Sequence, residues 1–214
     1  MFREKLRVAR ERNRSFLCVG LDPDPARIPV TDVAAFLQDV IDATADLVGA
    51  YKPNLAFFEA LGPKGYAILQ RTLEAIPKDI PTIGDAKRGD IGDTMRFHAK
   101  ALFDLYGFDA VTVNAYGGRD ALEPFLSRED RGVLIWCRSS NPGAGDIQDQ
   151  ALADGRALYE AIAELARSWN ERGNVGLVMG ATWPEQLRRV RQLCPDLLIL
   201  VRSEERRVGK ECRL

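Results

Sequence analysis

Residues 82 to 94 read TIGDAKRGDIGDT, which sets Asp85, Lys87, Arg88, Asp90 and Asp93 between an apolar run and the start of a helical pattern. Side chains two apart on a strand share a face, so Asp85 and Lys87 are expected to project together from the strand's end. A fixed ammonium beside a fixed carboxylate can stabilise negative charge that develops on a bound molecule. Lysine can also deliver the proton that quenches that charge. For a lone DxK the competing reading is a solvated loop, with Asp90 or Asp93 capping the next helix. The full string DAKRGDIGDT on a strand-to-helix junction favours the functional reading.

The elements that must position these residues repeat along the chain. Apolar, β-rich runs occur at 16–22 (FLCVGLD), 50–54 (AYKPN), 81–87 (PTIGDAK), 110–116 (AVTVNAY), 132–137 (GVLIWC), 175–181 (VGLVMGA) and 197–201 (LLILV). Helical periodicity fills 33–48, 66–76, 93–107, 119–126, 151–172 and 184–193 between them. Strands that are apolar on nearly every residue belong in a parallel sheet covered on both faces. Polar residues follow the strands: Asp22, Lys52, Asp85, Lys87, Asn114 and the stretch Ser139 to Asn141. That distribution predicts a (β/α)8 barrel, whose site is built at the C-terminal strand ends. The rival is a doubly wound open sheet, which would draw polar groups from only two or three strands at a switch point. Neither GxGxxG nor GxxxxGK[ST] is present to support it.

Composition narrows the class further. The 214 residues are 46% hydrophobic and 29% charged, as in one compact domain, and 30 basic against 31 acidic residues give a net charge of -1. The sequence-wide basic bias of a nucleic-acid binder is therefore missing. No apolar run approaches the roughly 18 residues of a membrane span, and the basic amphipathic N-terminus MFREKLRVARERN, with no apolar segment after it, is not a secretory signal but a helix covering one end of the barrel. Cys18, Cys137, Cys194 and Cys212 are scattered without a CxxC pair, which predicts free core thiols and a reducing, cytoplasmic setting. His98, the single histidine, lacks partners for a triad or a metal and is read as a packing or surface residue.

Six motifs, in order over residues 1 to 201, give the chain a resemblance to the orotidine 5'-phosphate decarboxylase family, in its longer bacterial branch. They are GLDPD (20–24), YKPN with FFE (51–59), GDAKRGDIGDT (84–94), TVNAYGG (112–118), RSSNPGAGDIQ (138–148) and VGLVMGAT (175–182). The resemblance implies a cofactor-free, metal-free lyase of pyrimidine biosynthesis, converting orotidine 5'-phosphate to uridine 5'-phosphate in a homodimeric barrel. It implies that Lys52, Asp85 and Lys87 form the charged array, with Lys87 as proton donor. Asp90 would reach the neighbouring subunit's site together with Ile91 and Thr94. Asp22 and Lys52 would hold the ribose hydroxyls, and Ser140 would meet the pyrimidine near its departing carboxylate. A sister group of magnesium-dependent sugar-phosphate decarboxylases and aldolases resembles the same DxKxxD pattern, but it generally places an acid for the metal at the end of the second strand, where this chain has Lys52.

The resemblance stops after Val201. The family would continue into a Gly-rich loop, a phosphate-gripping helix start, an eighth strand and a closing helix, whereas residues 202–214 read RSEERRVGKECRL. A barrel of this kind typically takes about 250 residues. The expectation is a barrel domain over 1–201 with a charged, non-family tail over 202–214, open at its first and seventh strands. The alternative function is then a catalytically inactive fragment of the same family.

Overall fold

A computed structural model describes residues 1–28 and 31–202. In chain order the elements are α1 (Phe2–Asn13), β1 (Cys18–Leu21), α2 (Val33–Thr44), β2 (Ala50–Pro53), α3 (Leu55–Glu59), α4 (Pro63–Ala75), β3 (Ile83–Arg88), α5 (Gly92–Ala99), β4 (Ala110–Asn114), α6 (Gly118–Leu126), β5 (Gly132–Arg138), α7 (Gly145–Gln148), α8 (Leu158–Ser168), β6 (Val175–Gly180), α9 (Pro184–Leu193) and β7 (Leu198–Arg202). All strand pairs are parallel. β1 pairs with β2, and β3 to β7 pair in chain order. Isolated bridges from Tyr51 to Thr82 and from Asn54 to Asp85 carry the order from β2 to β3. Among the described residues the order never reverses and no switch point is formed, so the winding is that of a barrel rather than a doubly wound sheet. Among the described residues the barrel is not closed: β1 pairs only with β2, and β7 only with β6.

Alternation along the strands divides the core into two shells. Ala50, Ile83, Ala110, Leu134 and Val178 point inward and pack with Phe2, whereas Tyr51, Val111, Val133, Ile135, Leu177 and Met179 pack outward against the helices. Two buried faces explain the unbroken apolar runs. α1 closes the N-terminal end, with Phe2 only 4% exposed and its amide donating to the Asp130 carbonyl at 2.9 Å. Burial of that one ring contributes about 2 kcal/mol. Gly132 is required beneath it, since a Cβ there would lie 2.3 Å from the Phe2 ring.

Two predicted helices differ in extent. The pattern over 151–172 yields a helix only over Leu158–Ser168, because Gly155 adopts φ 84° and an antiparallel bridge joins Ala151 to Ala157 before the helix begins. Glu160 then caps it, accepting from the Ala157 amide at 2.9 Å. The pattern over 93–107 starts as α5 and finishes as a π-helical segment, Lys100–Leu105. Of the expected tail, Arg202 is the last residue of β7, paired with Gly180, and residues 203–214, Cys212 among them, lie outside the described residues.

Candidate active site

Two residues along each strand from the inward apolar layer lies a different layer. Ala50 is followed by Lys52, Ile83 by Asp85, Ala110 by Thr112, Leu134 by Trp136 and Val178 by Gly180. The alternation that fills the barrel floor with hydrocarbon thus delivers Lys52, Asp85 and Thr112 to its mouth.

Asp85 is the hub of that layer and is 3% exposed. Its Oδ2 accepts from Lys52 Nζ at 3.1 Å, and its Oδ1 accepts from Lys87 Nζ at 2.7 Å and from Thr112 Oγ1 at 2.9 Å. Burial alone would raise this carboxyl. The charges and hydrogen bonds of Lys52 and Lys87 outweigh it and bring the pKa down to about 2. Lys52 is itself buried, while Lys87 keeps part of its surface open. Asp85 and Lys87 therefore meet, though not by regular alternation. The β3–β4 ladder slips between Gly84 and Arg88, and Lys87 sits at φ 46°, one of two non-glycine residues with positive φ among those described.

Asp22, at the end of β1, accepts from the Asn54 amide at 3.1 Å, and Asn54 caps α3 by accepting from Ala56 N at 3.1 Å. Neither Asn54 nor α3 was read from the sequence. Ser140 shares with Lys87 a cavity of about 280 Å³, lined also by Trp136, Arg138, Asn141 and Gly180. Gly180 must be glycine there, because a Cβ would come within 2.7 Å of the Ser140 amide nitrogen.

The loop carrying Ser140 is held by a cluster that sequence reading missed. Arg138, with no exposed surface, grips Asp149 through Nε at 2.9 Å and Nη2 at 2.8 Å. Its Nη1 donates to the Ser139 carbonyl at 2.8 Å, and its guanidinium carbon lies 4.5 Å from the Trp183 ring centre. Gln148 Oε1 accepts from the Ser139 amide at 2.8 Å. A charged residue closing an apolar run was the only available signal, since its partner stands in a loop of no regular period.

Asp90, Ile91 and Thr94 are not brought to this cluster. Asp90 and Ile91 are exposed, and Asp90 Oδ1 accepts from the Ile91 amide at 2.7 Å. Thr94 is half-buried in the first turn of α5. Arg88, on the same segment, pairs with Glu59. His98 is half-buried on α5, and burial, together with the Arg88 charge, lowers its pKa. Cys18, Cys137 and Cys194 are free thiols. Among the described residues no group of three or more His, Cys, Asp or Glu side chains is gathered as metal ligands, and no helix is long and apolar enough to cross a membrane.

Consecutive parallel strands whose C-terminal ends converge on a buried Lys–Asp–Lys array define the class: an enzyme of the (β/α)-barrel type. The family follows from similarity to known proteins. The profile described as "Orotidine 5'-phosphate decarboxylase / HUMPS family" matches residues 15–211, and the chain belongs to that family. An orotidine 5'-phosphate decarboxylase of Roseiflexus sp. (strain RS-1) is 54% identical over 207 residues, which cover 94% of this chain and 76% of the relative. The structure of Leishmania donovani OMP decarboxylase superposes with a TM-score of 0.86 at 42% identity, covering 94% of this chain and 78% of that one. That of Leishmania donovani UMP synthase gives 0.89 at 41%, covering 98% of this chain and 46% of the other.

Proposed function

We propose that the chain decarboxylates orotidine 5'-phosphate to uridine 5'-phosphate, a carboxy-lyase step of pyrimidine biosynthesis, and does so in the cytoplasm. The observation that carries the reading is a single buried carboxylate, Asp85, held between two ammonium groups, Lys52 at 3.1 Å and Lys87 at 2.7 Å, beside the cavity that Ser140 also lines.

The bond between C6 and the carboxylate carbon breaks, carbon dioxide departs, and the electron pair stays on C6. Two cations against one anion leave surplus positive charge for that pair, already oriented by the Asp85 carboxylate. Lys87 then delivers its proton to C6. Asp85 acts on the ground state: at about 4 Å and an effective dielectric of about 20, it repels the substrate carboxylate by about 4 kcal/mol, and the repulsion vanishes as carbon dioxide leaves. Asp22 and Lys52 hold the ribose hydroxyls, and Ser140 meets the pyrimidine. Asp90, Ile91 and Thr94 complete the site of a second copy, in keeping with the exposure of Asp90 and Ile91 on one chain. Lys52 against Asp85 supports this reading over the magnesium-dependent one, since its ammonium stands where a metal-binding acid would be needed.

Loss of ultraviolet absorbance on incubating the protein with orotidine 5'-phosphate tests the activity. Turnover that survives Lys87→Ala rejects the mechanism, and a folded protein without turnover is the inactive form. The dimer is tested by mixing two silent variants, Lys87→Ala and Asp90→Ala. Hybrids, about half of the mixture, have one of two sites with both native residues, so the mixture regains up to about a quarter of the activity, whereas sites built within one chain regain none.

A further inference from the structure

Thr112 lies on β4 in a run that is otherwise apolar, Ala110-Val111-Thr112-Val113, and it has no exposed surface. A hydroxyl offers one donor and two acceptor sites, and a buried one costs about 1–3 kcal/mol for each group left unmet. Here all three are used, and all on the same stretch of the neighbouring strand. Thr112 Oγ1 donates to Asp85 Oδ1 at 2.9 Å and accepts from the amides of Ala86 at 3.0 Å and Lys87 at 2.9 Å.

The location is the point where the β3–β4 ladder fails. Gly84 pairs with Val111 and Arg88 with Val113, so on the β4 side residues 85–87 of β3 face Thr112 alone. The amides of Ala86 and Lys87 would lack ladder partners without the hydroxyl. The same slip places Lys87 at φ 46°, a conformation that costs a non-glycine residue roughly 1 kcal/mol or more unless its surroundings impose it. One side chain thus fixes both the direction of the Asp85 carboxylate and the backbone that aims the Lys87 ammonium.

We propose that Thr112 is a positioning residue for the decarboxylation, locking Asp85 and Lys87 into one geometry through its hydroxyl. The inference rests on the function proposed above. A misplacement of an ångström at the reacting groups is enough to cost about a hundredfold in rate. The effect falls on kcat rather than KM, because Thr112 holds the Asp85 carboxylate and the Lys87 backbone amide, which set the groups that act on the departing carboxylate, and bonds to none of the groups assigned to the ribose. The titratable groups facing Asp85 are Lys52 from β2, Lys87 from β3 and, through space, Cys18 from β1. Thr112 is the uncharged member of the set.

The test uses the full chain with Thr112→Val, which keeps the shape and removes the hydroxyl, and Thr112→Ser, which restores the hydroxyl without the methyl. Circular dichroism establishes that each is folded. Expected are a fall in kcat of about 10- to 100-fold in Thr112→Val with KM changed less than about threefold, and recovery of most of the loss in Thr112→Ser. Carbon NMR of the Asp85 carboxyl supplies a readout independent of turnover: its midpoint rises in Thr112→Val and returns in Thr112→Ser. An unchanged kcat in an otherwise active protein overturns the proposal. So does a carboxyl midpoint that stays put in Thr112→Val. If the unsubstituted chain is folded but inactive, the function fails on its own, and the carboxyl titration still decides whether Thr112 sets the array. Should Thr112→Val not fold, kcat and the titration in Thr112→Ala decide in the same way.

Discussion

Two ionic clusters stand at the C-terminal ends of the strands, and they are built on opposite rules. Asp85 serves two cations, Lys52 and Lys87, so the cluster carries surplus positive charge, and Lys87 reaches the cavity with part of its surface open. Arg138 is matched to one carboxylate, Asp149, in a two-pronged grip, its third nitrogen is spent on the Ser139 carbonyl, and Trp183 lies over its face. The first arrangement keeps charge available to a visitor, while the second consumes its charge internally and leaves only geometry. Burial alone therefore does not mark a reactive group. The balance of partners does.

The contrast is most strongly tested by exchanging which property each cluster loses. Lys87→Ala is expected to reduce turnover roughly ten-thousand-fold, by removing both the proposed proton donor and a cation of the array. It should shift unfolding in urea by only about 1 kcal/mol, because the buried Asp85 keeps Lys52 and Thr112. Asp149→Ala should invert the pattern. It leaves a buried guanidinium with its main partner gone, which costs roughly 3 kcal/mol in the same unfolding experiment. A substitution at Asp149 that left stability untouched would show that the grip does not hold the loop.

A smaller effect sharpens the comparison through pH. The Asp85 carboxyl is depressed from 3.8 to about 2 in the folded protein. A group lowered on folding contributes stability that is complete above its unfolded value and is lost as pH falls through the folded one. Between about pH 4 and pH 2 the chain should lose about 2 kcal/mol from this source. Asp85→Asn should be less stable at neutral pH and flatter across that window. Equal slopes for the two proteins would contradict the assignment of the depressed carboxyl to Asp85.

Much of this was legible beforehand, for a physical reason. Strands buried on two faces write themselves as continuous apolar runs, so all seven lay within a few residues of their observed bounds. The polar residue two positions beyond the floor, as at Lys52 and Asp85, follows from the same alternation. What escaped depends on partners distant in sequence. A threonine within a strand is unremarked until Asp85 and the Lys87 amide appear beside it from another strand. Arg138 and Asp149 are joined across a loop. The short α3 is fixed by its Asn54 cap rather than by any period, and the start expected for the helix over 151–172 ignored the turn at Gly155. Asp90, Ile91 and Thr94 stand apart from the array on this chain, so the roles expected of them rest on the resemblance and not on the geometry of one copy.

The backbone at Lys87 carries a consequence for anyone breeding sturdier versions of this enzyme. Glycine occupies the left-handed region at φ 46° without penalty and would relieve about 1 kcal/mol there. A selection scored on heat tolerance alone would accordingly tolerate replacement of the very lysine proposed to give up the proton, the relief offsetting the lost bond to Asp85. Libraries should hold position 87 constant, or be screened first for catalysis and only afterwards for endurance.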